Sequence, residues 1–308
     1  MTGSQECKNE SCHVGSIWLL FLGDGHPGSM SLYVLVTGGN AGIGLALCKQ
    51  LTYDYGCHVY LCSRSLEKGT AAMKSIVDGK PASCKGQCEV VQLDTSSDES
   101  VVSAAADVKA RLEAKGAQLY AIVNNAATGM SHGVTPDVVL NTNLFGPKRV
   151  VEGFMPLVSK FGRIVNVSSG AGPNYVARCS SEVKKMLCNP EVSWEQIVEH
   201  AKSGLGSPAD YMGGYGLSKA LLNCYTMLLA KQHPELLVSC LCPGFLETAM
   251  TKGMGAPKPP EEGTVSIRHC LFDKLDGSGW FYVSDGVRSP LHFLRHPGQP
   301  AYNGEPVK

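Results

Sequence analysis

Tyr215 and Lys219 stand four residues apart, which on a helix puts both side chains on one face, one turn from each other. A free phenol, with a pKa near 10, is a poor acid or base at neutral pH. A neighbouring ammonium favours the phenolate and draws the phenol toward the working range, so the pair could exchange a proton with a carbonyl oxygen. Tyr-x-x-x-Lys alone also describes an ordinary surface tyrosine followed by a helix lysine. The second chemical feature is the run Thr37-Gly38-Gly39-Asn40-Ala41-Gly42-Ile43-Gly44, a T-G-x-x-x-G-x-G pattern. Gly38 lets the chain turn off a strand, Gly42 lets backbone approach a pyrophosphate, and Gly44 allows close helix packing with helical N–H groups facing the anion. A strand-to-helix loop that merely needs glycine would look the same. The third is Ser63-Arg64, at the end of the following strand, where a carboxylate would grip an adenosine ribose 2′-hydroxyl. Arg64 would pair with a 2′-phosphate instead, which favours NADP over NAD; the bland alternative is a solvated loop cation.

These groups need a frame, and the hydrophobic pattern supplies one. SLYVLV (31–36), CHVYLC (57–62), QCEVVQLD (87–94), LYAIVNN (119–125) and RIVNVSS (163–169) read as apolar strands, with later strands at 237–242 and 279–283. Between them, helical spacing covers 43–55, 66–77, 99–114 and a segment reaching Val158. Near-continuous apolar strands alternating with helices call for a parallel sheet covered on both faces, and right-handed crossovers then give a doubly wound α/β fold. Residues 175–211 break the rhythm with a helix-like stretch at 193–202 and no buried strand, so they read as a helical insertion in a single domain. Residues 1–30 have no sustained period and read as a flexible extension, with Met30 as an alternative functional start. Residues 286–308, with Pro290, Pro297, Pro300 and Pro306, read as a tail after a catalytic domain at 31–285.

Composition narrows the class. The 308 residues carry 27 basic and 27 acidic side chains, so no net charge recommends nucleic acid or an anionic membrane as partner. Hydrophobic residues make up 44%, enough for a substantial core. The 13 cysteines are odd in number and contain no C-x-x-C pair, which fits reduced thiols in a cytoplasmic protein. The early apolar run at 17–22 is too short for a membrane span.

Taken together, Thr37 to Gly44, Asn124-Asn125-Ala126-Ala127, Asn143 in NTNLFG, Ser168-Ser169, Tyr215 with Lys219, and Pro243-Gly244 followed by Thr248 resemble the short-chain dehydrogenase/reductase family, in that family's order. GGNAGIGLAL, QLD, the NLFG helix and the long interval before the tyrosine look most like its carbonyl reductase branch. The resemblance implies a Rossmann-like fold binding NADP(H), with Tyr215 as proton donor and Lys219 lowering its pKa while touching the nicotinamide ribose. Ser169 would hydrogen-bond the substrate carbonyl and stabilise the developing oxyanion. Asn143 would hold a water that relays protons from Lys219 to solvent. Gly38, Asn40, Gly42, Ile43 and Gly44 would cradle the cofactor, Arg64 its 2′-phosphate, Asp94 and Thr95 the adenine, Asn125 and Ala126 the neighbouring ribose, and Thr248 the carboxamide or phosphate. The family's glycine after Asn-Asn-Ala is Ala127 here, one methyl more. The insertion would lie along the helices that most relatives use to pair, so the resemblance implies a monomer rather than a homodimer.

The implied function is NADPH-dependent reduction of a small nonpolar aldehyde, ketone or quinone. The alternatives are a hydroxysteroid or other secondary-alcohol dehydrogenase, and a silent NADP-binding scaffold that has lost turnover. Phe245, Met250 and Met254 would lid the substrate or simply pack the core, and Trp194 is a packing anchor or a substrate wall. His292 and His296, between Pro290 and Pro297, make a poor helix and no metal site, and Cys7, Cys12 and His13 lack further ligands.

Overall fold

The computed structural model describes residues 31–129 and 133–305. The expectation of a flexible 1–30 extension lies outside them. The elements run β1 (Tyr33–Val36), α1 (Gly42–Tyr53), β2 (His58–Ser63), α2 (Leu66–Asp78), β3 (Gln87–Gln92), α3 (Asp98–Glu113), β4 (Leu119–Asn124), α4 (Pro136–Leu140), a π-helical turn (Asn141–Phe145) and α5 (Gly146–Phe154). They continue as β5 (Val158–Val167), α6 (Ala171–Arg178), α7 (Ser181–Leu187), α8 (Trp194–Ser203), α9 (Tyr215–Gln232), β6 (Leu237–Leu241), α10 (Val265–Phe272), β7 (Trp280–Tyr282) and β8 (Arg288–Ser289).

The strands form one sheet in the order β3-β2-β1-β4-β5-β6-β7-β8, parallel except for β8. Alternate residues of each strand feed two cores. Leu35, Ile122 and Ile164 point to the face covered by α3, α5 and α9, whereas Val34, Val36, Val123 and Val165 meet Leu47 and Leu51 of α1, Ile76 of α2 and Leu271 of α10. Both faces are apolar because both are covered, which is why the strands lack a polar alternate position. The chain moves outward from β1 to β2 and β3 and then returns to β4 on the other side. That reversal opens a crevice at the carboxyl ends of β1 and β4, the place where open α/β sheets bind ligands.

Three features differ from the pattern-based reading. The helix expected to reach Val158 stops at Phe154, and after a short turn through Pro156 the chain enters β5 at Val158, which pairs with Leu119. The insertion holds three helices, not one. Ser180 caps α7, and Ser193 with Gln196 forms a capping box on α8. Trp194 is a packing anchor: its ring meets Phe145 edge-on at 5.8 Å and Tyr225 at 5.7 Å. The segment read as a tail folds back onto the domain, where Arg295 is 4% exposed and its guanidinium pairs with both Asp285 oxygens at 3.0 and 2.9 Å. Leu294 lies against Gly170, where an added Cβ would come within 2.7 Å of it.

Eleven cysteines fall among the described residues and all are free. Burial raises the thiols of Cys240 and Cys270, leaving little reactive thiolate. Among the described residues no helix is long and apolar enough to cross a membrane, and no cluster of His, Cys, Asp and Glu could hold a metal.

Glu89 on β3 gathers His58 at 2.7 Å, Lys115 at 2.7 Å and Arg111 at 3.1 Å, with Tyr33 stacked on His58. Burial, then Lys115, lowers the pKa of His58. Burial would raise Glu89, but the hydrogen bond from Lys115 and the charge of His58 bring it below the usual carboxylate value. In both cases the unfolded chain takes up a proton first as pH falls, so stability is lost on acidification, from about pH 6.5 for His58 and from about 4.5 for Glu89. Thermal unfolding should therefore show a lower Tm at pH 5.5 than at pH 7.5, with a smaller drop in His58→Gln; an equal drop in that variant would remove His58 from the cause.

Candidate active site

The glycine turn and the end of β4 are joined by backbone capture. Thr37 Oγ1 accepts hydrogen bonds from the N–H groups of Asn125 at 3.0 Å and Ala126 at 2.9 Å, and the Asn125 amide donates to the carbonyls of Thr37 at 2.9 Å and Gly38 at 3.3 Å. Gly38 has φ 64° and Gly42 φ 51°, values that favour glycine. A Cβ on Gly44 would sit 2.3 Å from the Gly38 carbonyl oxygen, so only glycine lets α1 start this close to the turn. The N-cap of α1, Ala41, has no side-chain cap, leaving the first-turn N–H groups around Ile43 without the partner that Ser or Asp would provide. Asn40 sits in the same turn. Thr248 closes this side, with its methyl 3.5 Å from where a Gly42 Cβ would be.

At the neighbouring strand ends, Arg64 is exposed and has no ion-pair partner among the described residues. Asp94 follows β3, where its Oδ1 accepts from the Ser96 N–H at 2.9 Å and hydroxyl at 2.6 Å. Thr95 is 7% exposed and packs on Gly146. Arg64, Asp94 and Thr95 thus share the carboxyl edge of the sheet with the glycine turn.

Across the crevice, β5 is followed by Ser168-Ser169. Ser168 donates to the Lys219 carbonyl at 3.2 Å, while Ser169 Oγ accepts from the Ala171 N–H at 3.2 Å and lies beside the Tyr215 phenol, whose pKa it lowers. Tyr215 is the first residue of α9, and Lys219 lies one turn further on with its Nζ 5.8 Å from the tyrosine ring centre. Lys219 is 2% exposed, and among the described residues its one hydrogen-bond acceptor is the Val167 carbonyl at 2.8 Å. Burial pushes the Tyr215 phenol up to about 12, against the Ser169 hydrogen bond that lowers it, and pushes Lys219 down to about 8. Loss of solvent is the largest influence on the phenol in the chain by itself. Tyr215 is consequently a protonated donor at neutral pH.

Asn143 is brought close by the π-helical turn. Its amide donates to the Thr128 carbonyl at 2.9 Å and Ser218 Oγ at 3.1 Å, and its Oδ1 accepts from the Thr128 N–H at 2.8 Å. The side chain ties the segment after β4 to α9, one residue before Lys219, with both amide hydrogens engaged. Met250 lies against Gly129 beside the Tyr215 ring, where a Gly129 Cβ would be 3.5 Å from both side chains. Phe245 and Met254 are 49% and 56% exposed on the same post-β6 segment. The Val167 carbonyl, Gly129 and Cys242, whose thiol bears electrostatically on both Tyr215 and Lys219, have no signature in the sequence. Ser218, adjacent to Lys219, could have been suspected from its place alone.

The short chain dehydrogenase family model matches residues 32–181. The (+)-neomenthol dehydrogenase of Arabidopsis thaliana is 31% identical over 81% of this chain and 95% of its own length. Carbonyl reductase [NADPH] 1 of Sus scrofa is 28% identical over 80% of this chain and 88% of its own. Among solved structures, salutaridine reductase from Papaver somniferum superposes with a TM-score of 0.69 at 28% identity, covering 82% of this chain and 99% of that one.

Proposed function

Because the chain belongs to the short-chain dehydrogenase/reductase family, and is an NADP(H)-dependent oxidoreductase of C=O and CH–OH groups, we propose that it reduces small nonpolar aldehydes, ketones or quinones with Tyr215 as the acid. The observation that carries this reading is the buried Lys219 ammonium, one turn from a protonated Tyr215 phenol that Ser169 engages. A buried ammonium with one carbonyl acceptor has N–H groups to spare, and hydroxyls of a ribose satisfy them. The uncapped start of α1 and the positive-φ glycines likewise fit a pyrophosphate.

Gly38, Asn40, Gly42, Ile43 and Gly44 would hold the phosphates; Asp94 and Thr95 the adenine; Asn125 and Ala126 the adjacent ribose; Lys219 the other ribose; and Thr248 the carboxamide end. When bound, NADPH supplies the hydride. The Ser169 hydroxyl orients the carbonyl oxygen and offers a hydrogen bond as negative charge grows there. Tyr215 then delivers its proton to that oxygen, and the Lys219 ammonium stabilises the phenolate left behind. Asn143 keeps α9 in register with the segment that follows β4. Met250 and Phe245 present apolar, adaptable surface to the substrate.

An aldehyde, ketone and quinone panel with NADPH and NADH tests this, the expected result being NADPH consumption that depends on the carbonyl compound. Turnover confined to secondary alcohols with NADP would move the protein to the dehydrogenase reading, which the neomenthol dehydrogenase relative favours. Absence of turnover in either direction would favour the scaffold reading. Arg64→Asp should shift cofactor preference toward NADH by about tenfold or more, since a carboxylate repels the 2′-phosphate and accepts from a 2′-hydroxyl. An unchanged NADPH to NADH ratio in kcat/KM would mean that another residue reads the phosphate.

A further inference from the structure

The turn that launches α9 passes through backbone that side-chain-bearing residues avoid: Gly206, Gly213 and Gly214 have φ of 70°, 52° and 84°. Glycine takes either sign of φ at similar cost, so such a turn has little rigidity of its own. Its ends are held by one side chain. Asp210 accepts the Gly214 N–H on Oδ1 at 2.7 Å and the Gly206 N–H on Oδ2 at 3.2 Å. Gly214 is the N-cap of α9, immediately before Tyr215, where a helix leaves N–H groups unpaired and favours negative charge. The surroundings leave this turn no slack, because a Cβ on Gly214 would come within 3.2 Å of Leu205 and 3.3 Å of Pro136. Just past the tyrosine, Gly216 packs on Tyr175, whose hydroxyl is held by His200 Nε2 at 3.0 Å.

We propose that Asp210 is a positioning residue for the reaction. It captures the amide that precedes Tyr215 and so fixes the direction in which the phenol meets Ser169 and Lys219. The insertion thereby reaches the chemistry through the backbone, not through a side chain in the cleft. The role rests on the reading of Tyr215 as the proton donor. A carboxylate is the right group because it accepts two N–H bonds at once, and an amide oxygen in its place keeps the one to Gly214.

The test compares Asp210→Ala, Asp210→Asn and Tyr215→Phe with the parent, using a carbonyl compound that the parent reduces. Asp210→Ala should lower kcat by about tenfold to a hundredfold, the penalty for misplacing a reacting group by roughly 1 Å. KM and NADPH affinity should stay near the parent values, and amide hydrogen exchange at Gly214 should quicken. Asp210→Asn should recover most of kcat. Parent-like kcat in Asp210→Ala, unchanged exchange at Gly214, or an asparagine variant as impaired as the alanine one would overturn the assignment. Parent-like turnover in Tyr215→Phe would instead reject the acid, while exchange at Gly214 still reports whether Asp210 holds the turn.

Discussion

Tyr215→Phe should lower kcat for NADPH-dependent carbonyl reduction by about 10²–10⁴-fold, the usual worth of a positioned general acid, while NADPH binding persists. The substitution removes one oxygen from a ring whose packing against Gly129 and Met250 is unaltered, so the fold has no reason to change. The pH profile should carry the same signature. With Tyr215 raised to about 12 and Lys219 lowered to about 8, the phenol is protonated throughout the physiological range, and the ammonium is the group that titrates first. Reduction needs the ammonium to stabilise the phenolate, so kcat/KM should hold steady below pH 8 and fall above it. The break should vanish in Lys219→Met. Turnover close to parental in Tyr215→Phe would refute Tyr215 as the acid, and a profile flat to pH 10 in the parent would refute the part given to Lys219.

Gly44→Ala should cost NADPH binding at least about tenfold and destabilise the fold by about 1–3 kcal/mol, the range for overfilling a packed site. The added Cβ would lie 2.3 Å from the Gly38 carbonyl oxygen and 2.5 Å from Asn125 Nδ2. Neither can withdraw cheaply, because Gly38 is turn backbone and the Asn125 amide is hydrogen-bonded to that turn. The first turn of α1 must shift, taking its free N–H groups with it. Gly42→Ala is the informative contrast: its Cβ finds ordinary contact with Thr248 at 3.5 Å, leaving only the strain of φ 51°, about 1–2 kcal/mol. Cofactor titration and thermal melts read both variants. Gly44→Ala that binds NADPH as the parent does would place the pyrophosphate somewhere other than this turn.

Much of the frame was legible because it depends on short-range pattern. The strands at 33–36, 58–63 and 119–124 are runs of apolar β-formers, the glycine turn follows the first of them, the serines follow β5, and the Tyr-x-x-x-Lys pair opens α9. The first turn of α6 holds Gly172 and Pro173, residues of low helix propensity that leave it no clear helical pattern. Gly172 is needed for contact with α9, since a Cβ there would be 3.0 Å from the Ala220 nitrogen. The π-helical turn carrying Asn143 has no pattern of its own, and the buried Arg295 was invisible because its partner carboxylate and carbonyls assemble only when the terminal segment folds back.

The chain's own order of residues determined which groups could do chemistry and that they would gather at one edge of a parallel sheet, because strand polarity and crossover handedness leave that edge little freedom. Tertiary structure alone decided the electrostatics of the pair and the job of its neighbours. Lys219 reaches a carbonyl 52 residues away and Thr37 two amides 88 and 89 residues away. Burial, which raises the phenol and lowers the ammonium, is a property of everything packed around them and not of the residues themselves.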